Sequence, residues 1–388
     1  MAEYEIDDYL RTAQALAARV AAQADRIERE RRIPEDLAGE LADAGLFRLL
    51  VPRSLGGGEL APPDFIRIIE VFAGADASTA WCLSQNNVFA TSSVIMPEVT
   101  AREIWSDPRA VVSNGPPVAS ARAVPVEGGY RLSGRWNFSS GSPQATWVAA
   151  LTPIVTAGAE TGNAPSSPPL LKVLLLPKGE VSFLDLWEVR GLRGTGSFSF
   201  EVADLFVPEA RVYHQGDPCR ESGLLYTIPR TLLFGMGNAT VALGVARASL
   251  NTVIRMIGSP TGPGVVNPQQ QSAVTHRTIG EAEAQWRSAR ALLRQSAQEI
   301  WDVACATGNP PKADRVHLRL AITHAIRTSV QLVETAYSMC GSSSIFEGNT
   351  MQRLFQDMHV IGQHIQGRAT HYETAGQLAL GLEPVGRF

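Results

Sequence analysis

Cysteine is scarce and scattered: Cys82, Cys219, Cys305 and Cys340 are the only four in 388 residues, and none forms a CxxC pair. That spacing excludes a disulfide framework and a thiolate zinc site, and it suits buried apolar thiols in a reducing cytoplasm. Charge is modest too. The charged fraction is 19% and the net charge -4, with a pI near 6.0, so the basic stripe of a nucleic-acid binder is missing. The N-terminal MAEYEIDDYL lacks the basic-then-apolar order of a signal peptide. No run reaches the roughly 18 uninterrupted apolar residues of a membrane helix. The stretch GMGNATVALG at 235–244 has Thr240 where GxGxxG needs its last glycine, and no strand precedes it. It reads as small residues permitting close helix packing, and a nicotinamide site is not indicated.

What is present is an ordinary globular composition, 45% hydrophobic, in three zones. Residues 1–110 are helical in pattern. Leu10, Leu16, Val20 and Ile27 recur at helix spacing, and Pro34 suits the first position of a helix that continues with acids. Residues 111–212 carry short apolar runs separated by Gly, Pro and Ser, the pattern of antiparallel strands. The polar segment 156–169 reads as a surface loop between two of them. Residues 213–388 return to long amphipathic helices with short connections, which suggests a bundle, with a break at 259–271.

Five stretches taken together resemble the acyl-CoA dehydrogenase fold: IPEDLAGELADAGLFRLLVPRSLGGG, DASTAW, GGYRLSGRWNFSSG, GLRGTGSFSFEVADLFVPEARV and CGSSSIFEGNTMQRLFQD. The resemblance covers nearly the whole chain. It implies an α+β, mostly α protein: an N-terminal helical domain, a central antiparallel β domain and a C-terminal four-helix bundle, with a flavin between them. In GRWNFSSG it implies flavin contact, with Trp136 packing near the ring, Ser139 or Ser140 donating a hydrogen bond, and Gly141 among small residues that admit the ring close to the main chain. In SNGPP it places the Asn114 amide at the reactive edge of the flavin. Arg277 matches a phosphate-holding arginine, but the Gln-Phe-Gly stretch that accompanies it in dehydrogenases is absent, which leaves FMN as open as FAD. Asn86 and Asn87 are the polar candidates for a substrate pocket.

The C-terminal QDMHVIGQHIQGRATHYETAG holds His359, His364 and His371. On a helix, i+5 turns about 140° and i+7 separates residues by about 10.5 Å, so the three do not share an ion. A dehydrogenase of this fold needs a carboxylate base, and no acid lies between Asp357 and Glu373. The other family position for that base falls near Pro229 and Arg230, where no acid stands. The segment instead resembles the two-component flavin-dependent monooxygenases on the same fold, although Gln356 replaces their usual arginine. That branch implies reduced FMN or FAD supplied by a separate NAD(P)H-dependent reductase, O2 as co-substrate, a C4a-hydroperoxide held by His364, Asn114 and Ser140, and a small aromatic or heteroatom-bearing substrate near His359. It further implies a cytoplasmic homotetramer. Two rivals stand beside it: a desaturase with its base displaced to Glu347 or Glu373, and a flavin- or ligand-binding protein without turnover.

Overall fold

The computed structural model describes residues 2–155, 170–260 and 266–388; the expected loop at 156–169 and part of the break at 259–271 lie outside them. Helices α1 (Ala2–Ala22), α2 (Ala24–Glu30), α3 (Glu35–Asp43), α4 (Pro62–Ala73), α5 (Ala77–Ala90) and α6 (Glu98–Trp105) come first. Val20 and Ile27 are fully buried, while Leu10 and Leu16 pack at the margin of the same core. Pro34 sits one residue before its expected place, as the cap of α3, with its fixed φ of -55° and an extended ψ of 145°. α5 is buried nearly all round, and its start is set by Asp76, whose side chain accepts from the Thr79 N–H at 2.7 Å.

Strands β1 (Val112–Gly115), β2 (Arg122–Val126), β3 (Gly129–Ser139), β4 (Trp147–Pro153), β5 (Leu171–Pro177), β6 (Ser182–Leu184), β7 (Phe198–Pro208) and β8 (Val212–His214) form two four-stranded sheets, ordered β1-β4-β5-β8 and β2-β3-β7-β6. The expectation of a wholly antiparallel domain needs one correction. β1 and β4 run parallel, Val112 opposite Trp147. The chain leaves β1, builds β2 and β3 in the other sheet, and returns, a crossover long enough for parallel pairing.

Helices α7 (Arg230–Gly258), α8 (Ala273–Thr307), α9 (Lys312–Cys340) and α10 (Thr350–Gln363) pack as the bundle, and α11 (Thr370–Ala379) leans on α9. Among the described residues, α7 alone is long and apolar enough to cross a membrane, and 56% of its most apolar window is buried within the protein. Its small residues bring it against α5: a Cβ on Gly237 would lie 1.8 Å from Ser84 Oγ. One apolar core joins the N-terminal helices to the bundle, a second fills the space between the sheets, and a third, including Phe89, Val112 and Tyr213, joins α5 and α6 to the first sheet.

Candidate active site

α5 and α7 lie antiparallel. Gln85 Nε2 donates to Asn238 Oδ1 at 2.7 Å, and Arg230 Nη1 donates to Ser92 Oγ at the other end of the contact. Asn238 Nδ2 then lies 2.9 Å from His364 Nδ1. His364 follows α10 directly and caps the next turn, with Nδ1 accepting from the Gln366 backbone N–H at 3.4 Å. A backbone N–H does not reverse its role. Nδ1 is therefore the acceptor, Asn238 is the donor, and the proton of the neutral ring sits on Nε2. Burial, with the Arg368 charge adding to it, pulls the His364 pKa down to about 4, so the ring is neutral at pH 7. Gln366 is held by Arg319, a fully buried guanidinium that also donates to the Arg387 carbonyl at 2.8 Å and to Thr231 at 3.2 Å. Burial lowers the Arg319 pKa to about 10, still charged at pH 7.

The His364 and Trp81 rings meet in a T-shaped contact, with centroids 5.3 Å apart and planes at 85°. Trp81 Nε1, which only donates, reaches Ser140 Oγ at 3.2 Å. From there a row of hydroxyls runs inward: Ser140 to Ser197 at 2.8 Å, Ser197 to Thr195 at 2.7 Å, and Thr195 to the Leu192 carbonyl at 2.8 Å. The terminal carbonyl only accepts, which fixes the direction of the row. Ser140 spends its hydrogen on Ser197 and presents a lone pair outward. The expected donor is thus an acceptor in this arrangement.

Gly141 follows at φ +81°, where a Cβ would lie 2.6 Å from Asn86 Oδ1 and 2.9 Å from Gln144 Nε2. On the neighbouring strand Ser113 accepts from Ser139 at 3.0 Å. By strand alternation Asn114 shares the face of Val112, turned toward α5. The Asn114 amide is half-buried and makes no hydrogen bond to another described residue.

Several expected site residues lie elsewhere. Trp136 is fully buried between the sheets, stacked on Phe200 at 5.2 Å, with Nε1 on the Leu151 carbonyl; it is sandwich core with no face open to a ring. Asn87 uses its whole amide on the backbone, accepting from Leu49 and Leu50 and donating to Leu46 and Leu83. Asn86 Nδ2 ties the Val112 and Ser140 carbonyls together, each at 3.2 Å, while its buried Oδ1 has no partner among the described residues. His359 packs on Phe355, centroids 4.3 Å apart, and lies 3.9 Å from Glu334, away from Asn238. Arg277 is exposed and unpartnered among the described residues. His371 is buried with Nε2 3.0 Å from the Ile365 carbonyl, and burial lowers its pKa. Of the two displaced-base candidates, Glu373 is exposed on α11, and Glu347 precedes α10. A helix of 14 residues, about 21 Å, separates Glu347 from His364. Asp357, buried, accepts from the Leu192 N–H at 2.6 Å and so fastens the loop that carries Thr195 and Ser197 to α10. Burial raises its pKa to about 8, with Asp76 and Glu28 adding to the rise.

The chain matches the family descriptions "Acyl-CoA dehydrogenase, N-terminal domain" over residues 5–97 and "Acyl-CoA dehydrogenase, C-terminal domain" over residues 236–368. It is 30% identical to the indole-3-acetate monooxygenase of Pseudomonas putida, across 94% of this chain and 91% of that one. It belongs to the flavin-dependent monooxygenases of the acyl-CoA dehydrogenase fold. The oxygenase component of p-hydroxyphenylacetate 3-hydroxylase from Acinetobacter baumannii is 26% identical, over 96% of this chain and 88% of the relative. The Streptomyces protein XiaF, solved with FADH2 and glycerol, superposes with a TM-score of 0.90 over 100% of this chain and 98% of its own, at 23% identity, a likeness of fold.

The residues present suit a monooxygenase's reduced flavin. They offer the Asn114 amide, unpartnered among the described residues, and a lone pair of Ser140, while the missing side chain of Gly141 makes room for the Asn86 and Gln144 amides. Phe138, 61% exposed, packs edge-on against Trp187 with ring centroids 6.0 Å apart. Sequence reasoning missed Asn238 and Ser197; Trp81 and Gln85 lie in WCLSQNNVF, 81–89, which was expected to line the pocket, but neither was singled out. Asn238 lay inside the glycine-rich stretch read as packing; a polar residue among small ones on a buried helix was the available signal.

Proposed function

We propose that this chain is the oxygenase component of a two-component system, taking reduced FMN or FAD from a separate reductase and adding one oxygen atom from O2 to a small aromatic substrate. The observation that carries this reading is His364, neutral and with its Nε2–H unpartnered among the described residues, away from Glu347 and Glu373. When bound, reduced flavin supplies the electrons that activate O2. His364 donates its Nε2–H to an oxygen there, and being uncharged it does so without releasing a proton into the site. Asn238 and the Gln366 N–H hold that tautomer. Ser140 offers an acceptor to an N–H of the ring, and the Asn114 amide supplies a further uncharged contact. Trp81 packs on the His364 ring and keeps water from that side. We also read the protein as a cytoplasmic homotetramer whose flavin lies between subunits, with Arg277 available to a phosphate.

The test supplies chemically reduced FMN or FAD, O2 and a panel of phenols and indoles, and counts product and hydrogen peroxide per O2. Hydroxylated product without a bound reductase supports the reading; reduction of oxidised flavin by an acyl-CoA, with no oxygenated product, overturns it. Light scattering reports the assembly.

A further inference from the structure

Arg319, on α9, has no exposure, and no carboxylate among the described residues pairs with it. The charge that acts on it is another cation, Arg387. Its acceptors are all neutral, and they come from three other parts of the chain. Nε donates to the Arg387 carbonyl of the C-terminal segment at 2.8 Å, Nη1 to Gln366 Oε1, and Nη2 to the Thr231 carbonyl and hydroxyl of α7, each at 3.2 Å. Gly235 on α7 makes the room: a Cβ there would lie 3.2 Å from Arg319 Nη1 and 2.9 Å from Ile322 Cδ1. Taking a guanidinium out of water without a counter-charge is costly, and a well-packed apolar side chain of similar volume serves stability as well or better. A charge kept at that cost points to what it holds in place.

What it holds is the surroundings of His364. Ile365–Gly367 is a single 3-10 turn, too short to fix its own orientation. Arg319 grips that turn through the buried Gln366 side chain, and His371 on α11 donates Nε2–H to the Ile365 carbonyl at 3.0 Å. The same guanidinium grips the first turn of α7 through Thr231, two helical turns or about 10.5 Å before Asn238. Asn238 Nδ2 and the Gln366 N–H are the two groups that meet His364 Nδ1, at 2.9 and 3.4 Å. One side chain therefore joins both elements that carry those donors.

We propose that Arg319 is a positioning residue for His364: by joining α7 to the turn after α10 it keeps both donors on Nδ1, and so keeps the ring proton on Nε2. Its catalytic consequence rests on the monooxygenase reading above, whereas the clamp itself is tested without flavin. Isotope-labelled histidine reports the ring nitrogens by solid-state NMR, with the His364 signals assigned by their loss in His364→Gln. The parent should show one neutral form, Nδ1 bare and Nε2 protonated. Arg319→Met loses every donor, and Gln366→Met loses one acceptor while keeping its backbone N–H. Both should bring the two His364 nitrogen signals toward each other, as the ring exchanges between tautomers. Both should also lower product per O2, with reduced flavin and an accepted aromatic substrate, by about two- to tenfold, the span of one hydrogen bond. Flavin affinity should stay close to the parent's. Gln366→Glu keeps an acceptor for the guanidinium and should restore the parent's ring signals and coupling. Gln366→Met leaves the other acceptors of Arg319 in place, and it decides the matter should Arg319→Met fail to fold. Unchanged ring nitrogens in folded Gln366→Met, with stability alone affected, overturn the proposal, as does a changed tautomer with coupling intact. A parent that oxygenates no aromatic removes the monooxygenase reading and the catalytic role with it, and the ring nitrogens then decide the clamp alone.

Discussion

Gly141→Ala isolates what the wall of the site contributes. Gly141 sits at φ +81°, and Gly308, at the end of α8, sits at φ +72° with nothing within 4 Å of the place an added methyl would take. An alanine in left-handed backbone costs about 1–2 kcal/mol, and both substitutions carry that cost. At Gly141 the methyl also lands 2.6 Å from Asn86 Oδ1. Asn86 must move, and it holds the Val112 and Ser140 carbonyls with one amide nitrogen. Losing those two bonds adds about 1–3 kcal/mol. Gly141→Ala should thus lose about 2–5 kcal/mol and Gly308→Ala about 1–2. Urea unfolding of the two variants beside the parent measures the difference. Flavin titration supplies the second readout, because the displaced Ser140 should weaken reduced-flavin binding in Gly141→Ala only. Equal destabilisation of the two variants, with normal flavin affinity in both, would refute the role assigned to Asn86.

Trp136→Phe should lower stability by about 1–3 kcal/mol through lost packing and the lost bond to the Leu151 carbonyl, yet leave flavin affinity unchanged; a large loss of flavin affinity would return Trp136 to the ring. Asp357 has its folded pKa raised to about 8 from an ordinary 3.8, so the folded state holds an extra proton between those values and stability falls as pH rises through that window. Asp357→Asn keeps the acceptor for Leu192 and should gain on the parent from pH 5 to about 8 and level off above that in thermal unfolding; a pH-independent difference would refute the assignment. His364 shows the opposite sign. Its folded pKa of about 4 lies below the ordinary 6.5, so its contribution to stability declines as pH falls from 6.5 toward 4, and coupling of O2 use to product should hold level down to about pH 5. A coupling midpoint near 6.5 would contradict the buried, neutral ring.

The fold was legible because hydrophobic period changes twice along the chain, from helical to strand and back, and each core face matches its period. The parallel β1–β4 pair was not, since four residues of strand say nothing about which neighbour they meet. His364 was singled out in the sequence through the absence of a carboxylate near it. Its tautomer was not, because Asn238 comes 126 residues earlier and meets it only once α7 and α10 pack. Trp136 shows the reverse case. Strand alternation alone decides which of Trp136 and Asn137 points into the sandwich, and a pattern match to a cofactor motif does not carry that parity. Asn86 and Asn87 stood out as adjacent polar residues on an apolar helix, and that is also how backbone-satisfying amides look.

His364→Ala removes the Nε2–H donor outright. With reduced flavin, O2 and an accepted aromatic substrate, product and hydrogen peroxide are counted per O2 consumed, alongside flavin affinity. On the proposed role of His364 as hydrogen-bond donor to the reacting oxygen, its removal should cut product per O2 by about tenfold or more, with peroxide making up the difference and flavin affinity close to the parent's. Unchanged coupling in His364→Ala would contradict the account.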